Sequence, residues 1–246
     1  MSDIPSKGTR TLVVTDNPEL LQAFQRLATN IPAHHFSYAH SFNNRNPAQL
    51  VQLGCASVNV KAEADRIIRD FDLVFSLHCK QIFPARLVNA VRCINLHPGL
   101  NPHNRGWFPQ VFSIMNGLPA GATLHEMVEE VDRGPVIAQQ EVEVHADDTS
   151  RTAYDRIQQT EIMLLEQWLP QVLTGDYSTT ETASGNYNGI ADFQALCPID
   201  REETGTFGEF IDRLRALSHP PYRNAYFVDK DGKRVYLTLQ LDREDD

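Results

Sequence analysis

Val91-Arg92-Cys93-Ile94-Asn95-Leu96-His97-Pro98-Gly99 is an apolar run that ends in polar chemistry. Its apolar residues suit a buried strand, and Pro98-Gly99 stops the strand from continuing. Asn95 and His97 stand two apart, so on an extended strand end their side chains leave on the same face. Downstream, Asp132-Arg133-Gly134-Pro135 supplies a carboxylate beside a glycine turn. An amide that polarises a carbonyl, an imidazole that moves a proton and a carboxylate that orients the imidazole make an acyl-transfer site. The same residues also read as two turn caps, Asn95 and Asp132, around a proline bend after His97.

Outward from this strand the chain alternates. Thr11 to Thr15 is a β-branched run closed by Asp16-Asn17-Pro18, and Leu20, Leu21, Phe24 and Leu27 follow at helical spacing, capped by Asp16 or Asn17. His35 to Tyr38 reads as a second strand, residues 40 to 56 as loop or short helix, Val60 to Arg69 as a surface helix and Phe71 to Leu77 as a buried strand. Pro84 opens a short helix before the strand quoted above. This alternation implies βαβ units, an α/β fold with a mostly parallel sheet. Beyond the motif, Val111 to Met115 reads as a helix, Ala122 to Met127 and Pro135 to Val144 as strands. A long helix follows, capped by Asp147, Asp148 or Thr149, which Pro170 would kink or end.

Glycines 175, 185 and 189 interrupt the apolar pattern and place a boundary near there. The expected division is a main domain over residues 1–180 and a small C-terminal region over 181–246. That region holds a helix, Phe207 to Leu217, then the aromatic and polar turn Ser218 to Asn224, then a β-hairpin. The hairpin is signalled by Asp231-Gly232, which supplies the positive φ a tight turn needs. A hairpin alone is marginal, so its alternating apolar residues should pack on their own domain or on a second subunit.

At 246 residues with 41% hydrophobic content, the chain can bury a good core. No apolar run approaches a membrane span, and Met1 to Arg10 lacks the apolar segment of a signal peptide. Four scattered cysteines, without a CxxC pair, read as buried thiols in a reducing cytoplasm and argue against a metal site. A formal net charge of −10 argues against nucleic acid as a partner.

Asn95-Leu96-His97-Pro98-Gly99-Leu100-Asn101-Pro102-His103-Asn104-Arg105-Gly106 closely resembles the N-x-H-x-x-x-x-P-x-x-R-G signature of folate-dependent formyltransferases. The D-x-G-P sequence that follows in that family is matched by Asp132, Gly134 and Pro135. The resemblance covers roughly residues 10 to 175, as a Rossmann-like formyltransferase domain carrying a small C-terminal helix and β-hairpin. It implies Asn95, His97 and Asp132 as the catalytic residues and 10-formyltetrahydrofolate as cosubstrate, with no metal. Asn95 and His97 would stabilise the oxyanion formed as an amine attacks the formyl carbon, such donors being worth on the order of 3 kcal/mol each. His97 alternatively accepts the amine proton. Asp132 would orient His97 and relay the proton.

Ser76 to Pro84 resembles the family's pterin-gripping loop. It implies His78, Lys80, Gln81 and Ile82 at the folate, with Glu129, Glu130 and Val131 closing the pocket. Lys80 also reads as a solvated charge, and Ile82 with Phe83 as core. Arg215 to Phe227 resembles the R-A-L…P…A-Y segment of nucleotide-sugar formyltransferases. Asn104-Arg105-Gly106-Trp107 with Tyr222-Arg223-Asn224 is similar to the bacterial enzymes that formylate dTDP-4-amino-4,6-dideoxyglucose for surface polysaccharide. That implies Trp107 or Tyr222 stacked on thymine or the sugar, and Arg105 and Arg223 on pyrophosphate, with Asn104 and Asn224 beside them. Trp107 also reads as a packed loop anchor and Asn224 as a turn cap. A basic tRNA-binding domain and the regulatory domain of a formyl-donor hydrolase are not expected. Another nucleotide-linked amino sugar (a 3-amino-3,6-dideoxyhexose or a UDP sugar) and a catalytically silent folate- or nucleotide-binding regulator are the alternatives. Resemblance also implies a homodimer through the C-terminal hairpin.

Overall fold

The computed structural model describes residues 8–244. In chain order the elements are β1 (Arg10–Thr15), α1 (Pro18–Ala28), β2 (His35–Ser41), α2 (Ala48–Gln52), β3 (Ala56–Val58), α3 (Ala64–Asp70), β4 (Leu73–Leu77), α4 (Ala85–Val88) and β5 (Arg92–His97). Then come β6 (Arg105–Gly106), α5 (Pro109–Asn116), β7 (Ala120–Glu126), β8 (Val136–Val142) and α6 (Ser150–Thr174). The remainder is β9 (Tyr187–Asn188), α7 (Ile190–Leu196), α8 (Phe207–Leu217), β10 (Ser218–His219), β11 (Tyr222–Arg223), β12 (Tyr226–Val228) and β13 (Arg234–Tyr236). They fall into two compact units. One runs to His97 and adds Thr123–Gln139 and Glu161–Thr182; the other takes Pro98–Ala122, Gln140–Thr160 and the chain from Ala183 on.

The first unit is built on a seven-stranded sheet in the order β3-β2-β1-β4-β5-β7-β8. β1 pairs in parallel with both β2 and β4, and β4 with β5, while β5 pairs antiparallel with β7. The central parallel strands β1 and β4 are buried on both faces, β4 along its whole length and β1 from Thr11 on, as helices covering each side demand. One core cluster gathers Leu12, Val14, Ile67, Val74, Leu87 and Cys93. Asn17 caps α1, its Oδ1 accepting from the N–H groups of Glu19 and Leu20, with Pro18 in the first turn. Asp16 ties three strand ends together instead, accepting from Ser41, Asn44 and the Lys80 N–H. Chain order reverses between β1 and β4, and the crevice beyond the carboxyl ends of strands at such a point is where α/β sheets take ligands.

Pro170 does not end the long helix; α6 continues to Thr174. Its ring forfeits one hydrogen bond, but buried Leu169, Val172 and Leu173 hold the last turn in place.

In the second unit, Val111, Ile114, Ala153 and Ala216 make a small core edged by Phe108, Phe193 and Leu196. Thr206 caps α8 in a reciprocal box with Glu209. The expected turn at Ser218 to Asn224 is a tight antiparallel pair, β10 with β11, and in the expected hairpin β12 pairs with β13, which ends at Tyr236. Among the described residues no helix is long and apolar enough to cross a membrane.

Candidate active site

Three strand-borne side chains and one loop carboxylate meet in the first unit. Antiparallel register sets Asn95 opposite His125 and His97 opposite Thr123, so Asn95, His97 and His125 share a sheet face. Asp132 reaches the same place from the loop between β7 and β8. Its Oδ1 accepts from Asn95 Nδ2 at 3.0 Å, and its Oδ2 lies 3.5 Å from His97 Nδ1. His125 Nε2 lies 3.2 Å from Asn95 Nδ2 and 3.6 Å from Asp132 Oδ1. His97 and His125 are both buried.

Hydrogen-bond chemistry orders this cluster. His125 Nδ1 is 2.7 Å from the Glu126 carbonyl, which only accepts, so Nδ1 carries the proton. Neutral His125 Nε2 is then an acceptor, and the Asn95 NH₂ donates one hydrogen to it and the other to Asp132. Asp132 Oδ1 is consequently an acceptor, and with the carboxylate Oδ2 facing His97 Nδ1 that ring nitrogen is the one that carries a proton. The carboxylate orients the imidazole, and Nε2, across the ring, is directed away from Asp132.

The loop's shape explains the D-x-G-P sequence. Asp132 is in the left-handed region at φ 52°, a conformation that aspartate and asparagine tolerate best among non-glycine residues. Gly134 packs so closely on β7 that an added Cβ would stand 1.7 Å from the Glu126 carbonyl oxygen. The Glu126 N–H in turn donates to the Pro135 carbonyl at 3.0 Å. Gly134 therefore brings the Asp132 turn down onto the strand bearing His125.

The β4 loop lies at the reversal point of the sheet. His78 is left-handed at φ 55° and is held on both ring nitrogens, by Asn17 at 3.3 Å and by Glu161 at 2.7 Å. Lys80 donates its backbone N–H to Asp16 and leaves its side chain exposed. The Gln81 amide is occupied by the backbone, accepting from the Val60 N–H and donating to the Val58 carbonyl. Ile82 is 74% exposed, whereas Phe83 is core. An exposed isoleucine on a pinned loop fits a flat apolar ring system. Glu129 accepts from Asn89, Glu130 pairs with Arg133 at 3.2 Å, and Val131 is exposed.

The remaining candidates sit in the second unit. Asn104, buried, turns inward: its Oδ1 accepts from the amides of Asn116 and Asn186, and its N–H donates to Asn186. These bonds fasten β6 to β9, placing the Arg105 guanidinium against the Gly185 carbonyl. Trp107 donates its N–H to Asn188 and lies beside Phe108, which packs on Phe193 at 4.3 Å. Tyr222 is 67% exposed, its inner side against His219, whose Nδ1 is 3.0 Å from Ser150 Oγ. Burial and, next, repulsion from Arg151 hold the His219 imidazole below its ordinary value. Arg223 stacks on Tyr236, and Asn224 donates to the Leu217 carbonyl, closing the turn.

Sequence reasoning missed His125 and Glu161. The first stood in Ala122 to Met127, read only as a strand, and the cross-strand register reveals that it faces Asn95. The second lies eighty-three positions from His78. Among the described residues no group of three or more His, Cys, Asp or Glu side chains could hold a metal ion.

A formyl transferase family model matches residues 3–173, and one for an N-formyltransferase dimerization C-terminal domain matches residues 192–243. The chain is 44% identical to a dTDP-4-amino-4,6-dideoxyglucose formyltransferase of Mycobacterium tuberculosis over 78% of this chain and 82% of that protein. It is 48% identical to a sugar N-formyltransferase of known structure from a Shewanella species, with a TM-score of 0.94 over 96% of this chain and 99% of that one. A 4-N formyltransferase structure from Francisella tularensis is 41% identical, TM-score 0.91, over 96% and 99% of the two chains.

Proposed function

We propose that this chain, which belongs to the formyl transferase family and is a folate-dependent sugar N-formyltransferase, formylates the 4-amino group of dTDP-4-amino-4,6-dideoxyglucose. The observation that carries the chemistry is the Asp132 carboxylate held against His97 and Asn95. The likeness to the mycobacterial protein over most of the chain supports the substrate.

The donor, 10-formyltetrahydrofolate, supplies an electrophilic formyl carbon. Ile82 and the backbone of the β4 loop would hold its ring, with Glu129, Glu130 and Val131 bordering the same pocket. In its doubly protonated form His97 donates from Nε2 to the formyl oxygen as negative charge develops there, and the Asp132 carboxylate, held against Nδ1–H, orients and stabilises that imidazolium. The sugar amine forms the new C–N bond and loses a proton, which Asp132 takes directly or through a water and returns to the folate nitrogen as the old C–N bond breaks. Asn95, with both amide hydrogens committed to Asp132 and His125, holds the carboxylate; turning one of them to the formyl oxygen would add a second oxyanion donor. Tyr222 offers the exposed aromatic face for the base, and Arg105 and Arg223 the charge for pyrophosphate, beside Trp107, Asn104 and Asn224.

The enzyme works as a cytoplasmic homodimer in surface polysaccharide synthesis. Exposed Val228, Val235 and Tyr236 on β12–β13, within the segment matched by the dimerization model, support the dimer. A light-scattering mass of one chain at micromolar concentration contradicts it. For the substrate, the test incubates the protein and donor with a panel of dTDP- and UDP-linked 3- and 4-amino sugars and reads product masses. Turnover of every sugar except the dTDP-linked 4-amino glucose contradicts the assignment.

A further inference from the structure

The Glu161 carboxyl is a buried group the reaction above does not use. It lies on α6 with no exposure, its Oε1 2.7 Å from His78 Nε2, and its Oε2 has no hydrogen-bond partner among the described residues. An unsatisfied buried carboxyl oxygen costs free energy and needs a compensating reason.

The tautomer of His78 can be read from its neighbours. Asn17 spends its Oδ1 on the N–H groups of Glu19 and Leu20 at the start of α1, which fixes the orientation of its amide. Its NH₂ therefore faces His78 Nδ1 at 3.3 Å, and Nδ1 must accept. The ring proton is then on Nε2, where it donates to Glu161. A helix cap thus sets an imidazole tautomer, and that tautomer requires an acceptor at position 161. His78 is also held at φ 55°, a left-handed conformation without the glycine or asparagine that usually fills it. Lys80 N–H on Asp16 and the Gln81 amide on Val58 and Val60 pin the same loop further along.

We propose that Glu161 is a positioning residue: acting through His78, it holds the strained start of the β4 loop so that the Lys80 to Ile82 segment presents a fixed surface to the folate. This rests on the reading of that loop as the folate site. Burial raises the Glu161 carboxyl above its ordinary range, opposed by His78, consistent with an acceptor maintained at a cost in desolvation.

The test compares tetrahydrofolate binding by anaerobic calorimetry in the wild type and in Glu161→Leu, Glu161→Gln and Ile82→Ala, each first shown to be folded by its melting transition. Glu161→Leu, which leaves the His78 N–H without an acceptor, weakens binding about tenfold, and Glu161→Gln, whose amide oxygen still accepts, stays within about twofold. Ile82→Ala weakens binding too. If Ile82→Ala weakens binding and Glu161→Leu does not, the positioning role is overturned while the folate site stands. If neither does, the folate-site reading fails and the proposal with it. Nitrogen-15 NMR of His78 adds an independent readout, with Nδ1 unprotonated in the wild type and in Glu161→Gln. A proton on Nδ1 in the wild type overturns the tautomer argument even if every variant misfolds.

Discussion

Asp132→Asn changes one oxygen for an NH₂ and leaves the turn intact, because asparagine accepts φ 52° as readily as aspartate. The new amide has a single consistent orientation. Its oxygen must stay toward the Asn95 NH₂, at 3.0 Å, so its NH₂ faces His97 Nδ1, at 3.5 Å in the parent. Two N–H groups cannot face each other, so His97 shifts its proton to Nε2 permanently and Nδ1 becomes an acceptor. His97 can still donate from Nε2 but loses the carboxylate that stabilises its doubly protonated form as charge develops, and the amine proton loses its acceptor. A positioned acid–base group contributes about 10²–10⁴-fold in rate, and one factor of ten is about 1.4 kcal/mol. Losing both roles puts the fall in kcat at about 10³-fold, roughly 4 kcal/mol, with substrate KM values little changed. The assay follows consumption of 10-formyltetrahydrofolate by absorbance under saturating sugar nucleotide, paired with nitrogen-15 NMR of His97. A kcat within about tenfold of the parent refutes the role of the carboxylate, and a His97 that keeps its Nδ1 proton refutes the tautomer argument.

Three further perturbations probe the same framework. His125→Leu leaves the Asn95 NH₂ and the Glu126 carbonyl each short of a partner, and kcat falls about 10- to 100-fold with a lower melting temperature. Gly134→Ala places a methyl 1.7 Å from the Glu126 oxygen, so the Asp132 turn must lift; urea titration should show a loss of at least about 1–3 kcal/mol, accompanied by reduced kcat. His219 lies below its ordinary value, so the unfolded chain takes up its proton first as pH falls. Its neutral, buried form contributes stability that is complete above about pH 6.5 and is lost as pH drops from there toward the lowered folded value. His219→Asn should therefore flatten the decline in melting temperature between about pH 7.5 and 5.5, and an unchanged slope contradicts the argument.

The alternation of strand and helix was legible because most elements carry their own signal. Thr11 to Thr15, Leu73 to Leu77 and the Asn17-Pro18 cap declare themselves by burial pattern and turn chemistry. β3 did not: Ala56 and Ser57 are exposed on an edge strand, so no apolar run marks it. Pro170 misled because local propensity was outweighed by three buried side chains around it, and tertiary burial routinely wins over propensity. The site divides along the same line. Asn95 and His97 stand on one strand, and an i, i+2 spacing is visible in one dimension. Asp132 was named from its chemistry and then from the D-x-G-P resemblance, but its approach depends on a glycine contact with β7 that neither spells out. His125 opposite Asn95, and Glu161 beneath His78, are products of register and helix packing that no local pattern encodes.

The most direct test uses donor labelled with carbon-13 in the formyl group and dTDP-4-amino-4,6-dideoxyglucose labelled with nitrogen-15 at the amine. NMR of the product should show the formyl carbon directly bonded to the labelled nitrogen, at a rate that collapses in Asp132→Asn. Label released as formate, or found on any other atom of the nucleotide sugar, would contradict the account.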